Sequence, residues 1–249
     1  MNDLVVSYQM GKVASSSIAA SVDSCEQFHS WSSEEPIMFF SSRNTGSAKG
    51  RLVQYFKWKL KFYKLKRRVQ KAIGGGGRIK LVVGVREPVS RNASGYFQSL
   101  MSREINTTVE QAIEKFYAFC PHMGPLHWFD IELKEKLDID VYEYPFDLVK
   151  GCGQFKKGVF DVFIYRQEDL RANAKALGEF LNITDFKLLN VNDGGDKWSA
   201  ELYRKFLKEF NPSPAYLDLM YESKYFEHFY GEKLKGEYKA KWDGDKGSD

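Results

Sequence analysis

Leu4-Val5-Val6-Ser7-Tyr8, then Gly11-Lys12-Val13-Ala14-Ser15-Ser16-Ser17, then Ile18-Ala19-Ala20-Ser21-Val22 is the stretch from which the fold can be worked out. A short apolar run reads as a buried strand, and the small-residue turn after it carries one cation and three hydroxyls. The residues beyond the turn have the pattern of a helix start. This order aims backbone N–H groups, a lysine and hydroxyls at one point, as a site for a phosphate-like anion requires. The competing reading is a serine-rich helix cap, since serine is an ordinary N-cap residue. On this stretch alone, both stand.

The P-loop of kinases requires G-x-x-x-x-G-K-[ST]. Gly11-Lys12 is present, but Val6 occupies the first glycine position and Val13 that of the Mg²⁺-binding hydroxyl. Such a loop suits a donor that needs no metal. A second corner points the same way. Ile79-Lys80-Leu81-Val82-Val83-Gly84-Val85 is a strong buried-strand signal after the turn Gly74 to Gly77, and Arg86-Glu87-Pro88-Val89-Ser90-Arg91-Asn92-Ala93-Ser94 comes directly after it. A helix starting near Val89 places Arg86 at a strand end and Ser94 in the early helix, where both can reach one anion.

Lys12 to Ser17 resembles the 5′-phosphosulfate loop of sulfotransferases that use 3′-phosphoadenosine 5′-phosphosulfate, and Arg86-x-Pro88-x-x-Arg91-x-x-Ser94-x-Tyr96 resembles their 3′-phosphate motif. Val162–Tyr165, Gln167-Glu168-Asp169-Leu170 and Phe180-Leu181 resemble a late strand and helix of that fold. Trp128-Phe129-Asp130-Ile131-Glu132 and Asp196-Lys197-Trp198-Ser199 resemble the bacterial NKWYS group, associated with capsular polysaccharide synthesis. Gly11 replaces the usual proline and Ala14 the usual glycine, so an altered loop shape is expected, because alanine disfavours positive φ. Asp196 stands for asparagine, and Ser199-Ala200 for Tyr-Ser.

The resemblance implies a P-loop-like sulfotransferase fold and a nucleotide-binding transferase, with adenosine 3′,5′-bisphosphate as product and no metal. It implies Lys12 at the bridging oxygen, with Val13, Ala14, Ser15, Ser16 and Ser17 around the 5′-phosphate. Arg86 and Ser94 would hold the 3′-phosphate, and Lys197 and Trp198 would close over the nucleotide. His29 is the expected general base toward an acceptor hydroxyl; the alternative is a histidine satisfied by hydrogen bonds at a strand end. Glu34, Glu35, His127 and His122 are the next base candidates. Asp130, Glu132 and Tyr144 are candidate acceptor contacts, and the expected acceptor is a glycan hydroxyl. A divergent P-loop kinase and a noncatalytic anion-binding module are the alternatives.

Alternation of the elements predicts an α/β domain, a mostly parallel sheet flanked by helices on both faces. Expected strands are Leu4–Tyr8, Gln27–Trp31, Met38–Phe40, Ile79–Val85, Asp140–Tyr144 and Val162–Tyr165. Expected helices are Ser15–Ser24, Leu52–Ala72, Val89–Ser102, Thr108–Phe119, His127–Lys136, Arg171–Leu181 and Ala200–Glu209. The 249 residues fit one domain, 1–249, with a frayed tail from 231 to 249. Cys25, Cys120 and Cys152 form no C-x-x-C pair, which favours a reducing compartment over zinc or disulfides. No signal peptide or 18-residue apolar stretch is evident, so a soluble, cytoplasmic protein is expected.

The net charge of +4 is unevenly placed. Lys57, Lys59, Lys61, Lys64, Lys66, Arg67, Arg68 and Lys71 crowd one helical window with Trp58, Leu60, Phe62, Tyr63, Leu65 and Val69. Either this stripe meets an anionic polymer or membrane surface, or it is a solvated helix whose apolar side docks on the domain. No nucleic acid partner is expected.

Overall fold

The computed structural model describes residues 3–30, 48–102, 105–119, 122–191 and 197–242. Five strands form one sheet: β1 (Leu4–Tyr8), β2 (Glu26–Phe28), β3 (Ile79–Val85), β4 (Cys152–Lys157) and β5 (Phe160–Arg166), in the order β2-β1-β3-β5-β4. β1 pairs in parallel with β2 and β3, and β3 with β5; β4 returns antiparallel to β5. Every residue of β3 is buried, as a central parallel strand covered on both faces requires.

Helices cover both faces. On one, α1 (Ser15–Ser21) and α7 (Ala174–Leu181) bring Ile18, Leu177 and Leu181 onto Val82, Phe163 and Tyr165. On the other, α2 (Ala48–Gly74) and α3 (Pro88–Ser102) bring Phe62, Leu65, Val69, Val89 and Ala93 onto Val6, Leu81, Val83 and Val85. α4 (Val109–Phe119), α5 (Gly124–Trp128) and α6 (Glu135–Leu137) come next in the chain, and a π-helical turn, Phe129–Lys134, joins the last two. α8 (Lys197–Glu209), α9 (Pro214–Tyr221), α10 (Lys224–Phe229) and α11 (Gly231–Trp242) complete that side.

The strand order reverses at β1, which sends the chain to β2 on one side and lies beside β3 on the other. The crevice beyond the C-terminal ends of β1 and β3 is therefore the switch point where ligands of open α/β sheets bind. Gln9 to Ala14 leaves one of those ends and Arg86 the other.

Several expectations require correction. Asp140–Tyr144 is not a strand: the Asp140 carboxylate accepts from the Tyr142 N–H at 3.1 Å and folds Val141–Glu143 into a 3₁₀ turn. Of the segment 231–249 expected to fray, Gly231–Trp242 folds as α11, with Trp242 buried against Phe210, and 243–249 lie outside the described residues. β4 and α9 to α11 are additions to the expected elements. The expected helix 127–136 is split by the π-helical turn. The expected strand Met38–Phe40 lies outside the described residues.

Candidate functional site

Lys12 and Ala14 both have left-handed backbones, φ 73° and 67°. Alanine thus takes the left-handed conformation that it ordinarily disfavours and that is expected of glycine. Holding a non-glycine residue there costs on the order of 1 kcal/mol or more, so the surroundings must enforce it.

They do so through the loop's carbonyls. His29 Nδ1 lies 2.6 Å from the Gln9 oxygen, and Arg91 Nε donates to Gly11 at 3.3 Å. Arg86 Nη1 donates to Lys12 at 3.1 Å and the Tyr165 hydroxyl to Val13 at 2.7 Å. In a trans peptide the C=O and the following N–H point opposite ways. The N–H groups of Lys12, Val13 and Ala14 therefore face away from these anchors, and among the described residues none meets a backbone acceptor.

α1 has Ala14 as its N-cap, with no side-chain cap. The serines are its first three residues, so they do not cap it, and the helix-cap reading fails. Ser15 and Ser17 are buried while Ser16 is exposed. Gly84 makes the floor possible: a Cβ there would lie 2.6 Å from Gln9 Oε1 and 2.8 Å from the Tyr165 hydroxyl.

Lys12, Arg86 and Arg91 converge on this loop. Burial, then Arg86, then Arg91 hold the half-buried Lys12 ammonium below the ordinary lysine range. No carboxylate lies within ion-pairing distance of Lys12 or Arg86 among the described residues. Arg86 is itself fixed by Tyr225, whose hydroxyl accepts from its N–H at 3.0 Å and donates to its carbonyl at 2.8 Å. The next residue, Glu87, is buried: its carboxylate caps α3 at Val89 and Ser90, and its N–H donates to Glu168 at 2.9 Å. Burial pushes the Glu168 carboxyl above the usual carboxylate range. Ser94 lies one turn beyond Arg91 on the same face of α3.

His29 comes directly after the last residue of β2. A carbonyl only accepts, so the Gln9 contact places the ring proton on Nδ1 and leaves Nε2 as the basic nitrogen. Gln27 Nε2 donates to Ser15 Oγ at 2.9 Å and lies 3.5 Å from His29 Nε2, linking loop and histidine. Trp128 Nε1 donates to the His29 carbonyl at 3.1 Å, and Glu132, buried in the π-helical turn, accepts from Ser30 at 2.9 Å and from Tyr8. Gln9 and Gln27 join the candidate site through these contacts, and sequence reasoning misses both. Polar side chains at the ends of β1 and β2 are the available signal.

The other candidates fall elsewhere. His122 packs among Phe116, Tyr117 and Tyr216, and its ring pairs with the Tyr216 hydroxyl at 2.8 Å. His127 is exposed. Tyr144 stacks on Phe155, and Asp130 pairs with Lys224 at 2.8 Å. Glu34, Glu35, Cys120 and Asp196 lie outside the described residues. Lys197 and Trp198 open α8, but their side chains also lie outside them.

The NKWYS family model, described as "Putative capsular polysaccharide synthesis protein", matches residues 101–231. The chain belongs to the NKWYS family. The matched range holds the π-helical turn and the start of α8, whereas the Lys12 loop and the Arg86 corner precede it. No curated protein and no solved structure matches this NKWYS chain. No helix among its described residues is long and apolar enough to cross a membrane.

Proposed function

We infer that the protein transfers a sulfuryl group from 3′-phosphoadenosine 5′-phosphosulfate to a hydroxyl, with a carbohydrate as acceptor. The observation that carries this reading is the convergence of Lys12, Arg86 and Arg91 on one loop at the sheet's switch point. Lys12 is half-buried there and has no carboxylate partner among the described residues. Such a site calls for a ligand with more than one negative charge.

The donor supplies the sulfuryl group and leaves as adenosine 3′,5′-bisphosphate when its bridging S–O bond breaks. Lys12 stabilises charge growing on the bridging oxygen, which is greater in the transition state than in the ground state. The N–H groups of Lys12 to Ala14 and the hydroxyls of Ser15 to Ser17 hold the 5′-phosphate. Arg86, with donors beyond the one used on Lys12, and Ser94 hold the 3′-phosphate. His29 Nε2 takes the acceptor's proton as its oxygen bonds to sulfur. Membership in a family described by capsular polysaccharide synthesis supports a sugar hydroxyl as acceptor.

Isothermal titration with adenosine 3′,5′-bisphosphate in EDTA tests the donor site. The expected result is binding that Arg86→Ala weakens at least tenfold. Preference for ATP with Mg²⁺ would instead favour a divergent kinase. Sulfated product from labelled donor tests the acceptor.

A further inference from the structure

α2 runs for 27 residues, about 40 Å, and contains no acidic residue. Its inner stripe, Phe62, Leu65, Val69 and Ala72, packs into the core. Lys61 donates to the Gln27 carbonyl at 3.0 Å and Arg68 pairs with Glu26, tying the helix to β2. One apolar face is thus accounted for.

A second apolar stripe faces the other way. At 100° per residue, Val53, Phe56, Leu60 and Tyr63 span about 80° and are centred opposite the inner stripe. They are exposed by 46, 59, 60 and 53%. Lys57 and Lys64 flank them on one side, Lys59 and Lys66 on the other, and Arg67 and Lys71 continue the surface toward the C-terminus. A solvated helix would place polar residues on this line. A soluble polyanion would engage the lysines but gain nothing from four outward apolar side chains.

Apolar residues along the centre with cations on both flanks match a bilayer interface, where the side chains enter the acyl boundary and the lysines meet anionic headgroups. We propose that the outer face of α2 seats the protein on an anionic membrane surface, lying in its plane without crossing it. Charge complementarity together with the apolar stripe selects this occupant, and the seating does not depend on sulfuryl transfer.

Sedimentation of the full chain with vesicles tests this, comparing phosphatidylcholine alone with phosphatidylcholine containing phosphatidylglycerol. Expected are binding to the anionic vesicles only, weakening with salt, and at least a tenfold loss in Phe56→Ser/Leu60→Ser and in Lys57→Glu/Lys64→Glu. Both double variants alter exposed positions, and an unchanged circular dichroism melt establishes that they fold. Absence of vesicle binding overturns the proposal. So does binding that the serine variant retains while dextran sulfate competes for it, which would identify a polyanion site. A dimer by light scattering that Phe56→Ser/Leu60→Ser converts to monomer, without vesicle binding, would assign the stripe to a second copy of the chain.

Discussion

At Lys12 the charge state is poised by its neighbours. Burial, Arg86 and Arg91 all favour the neutral amine, whereas a bound polyphosphorylated ligand favours the ammonium. Binding is therefore tightest at low pH and weakens as pH rises through the lowered pKa, by up to about tenfold per unit. Titration calorimetry between pH 7 and 10 should show proton uptake on binding and a Kd that climbs for the wild type but stays nearly flat for Lys12→Ala. A pH-independent wild-type Kd would refute the assignment. His29 separates binding from chemistry: His29→Gln should lower kcat by about 10²–10⁴ and leave adenosine 3′,5′-bisphosphate affinity within about twofold. An equal fall in affinity would mean that the ring supports the loop through Gln9 more than it accepts a proton.

Among the elements, the loop between β1 and α1 depends on side chains from four other segments. Gly84→Ala drives a methyl group into Gln9 and Tyr165 and should cost about 1–3 kcal/mol by denaturant unfolding. Ala14→Gly removes the left-handed penalty, so a change between neutral and about 1 kcal/mol stabilising is expected; a loss above that would show that the methyl group itself is packed. β1 and β3 were legible because a parallel strand buried on both faces is dominated by apolar residues, with Ser7 and Lys80 the polar exceptions here. β4 was not, since Gly153, Gln154, Lys156 and Lys157 give an edge strand little apolar signal. The Asp140 turn was hidden because one side-chain hydrogen bond overrides a β-branched, aromatic pattern. That Lys12, Arg86 and His29 meet at one loop was readable from spacing and resemblance, but the carbonyl anchors depend on tertiary geometry that no local pattern contains.

Across the molecule, α8 to α11 close an aromatic core that includes Tyr96, Phe116, Phe206, Phe210, Tyr225, Phe229 and Trp242. The same C-terminal segment supplies Tyr225 to Arg86, Tyr221 to Glu87 and Tyr230 to Glu168, so it supports the Arg86 corner as well as the core. Trp242→Ala should destabilise by about 3–5 kcal/mol in chemical denaturation. Ending the chain before Gly231 should weaken nucleotide binding along with stability. Retention of full stability in either variant would show that α11 is dispensable.

The anchoring of Gln9, Gly11, Lys12 and Val13 by His29, Arg86, Arg91 and Tyr165 bears on biosynthesis. During synthesis the lysine loop is made before the residues that hold it, and it cannot take its shape until Tyr165 has been translated and β5 has paired with β3. Any site built on this loop is thus postponed past residue 165, and translation products ending earlier would lack its shape.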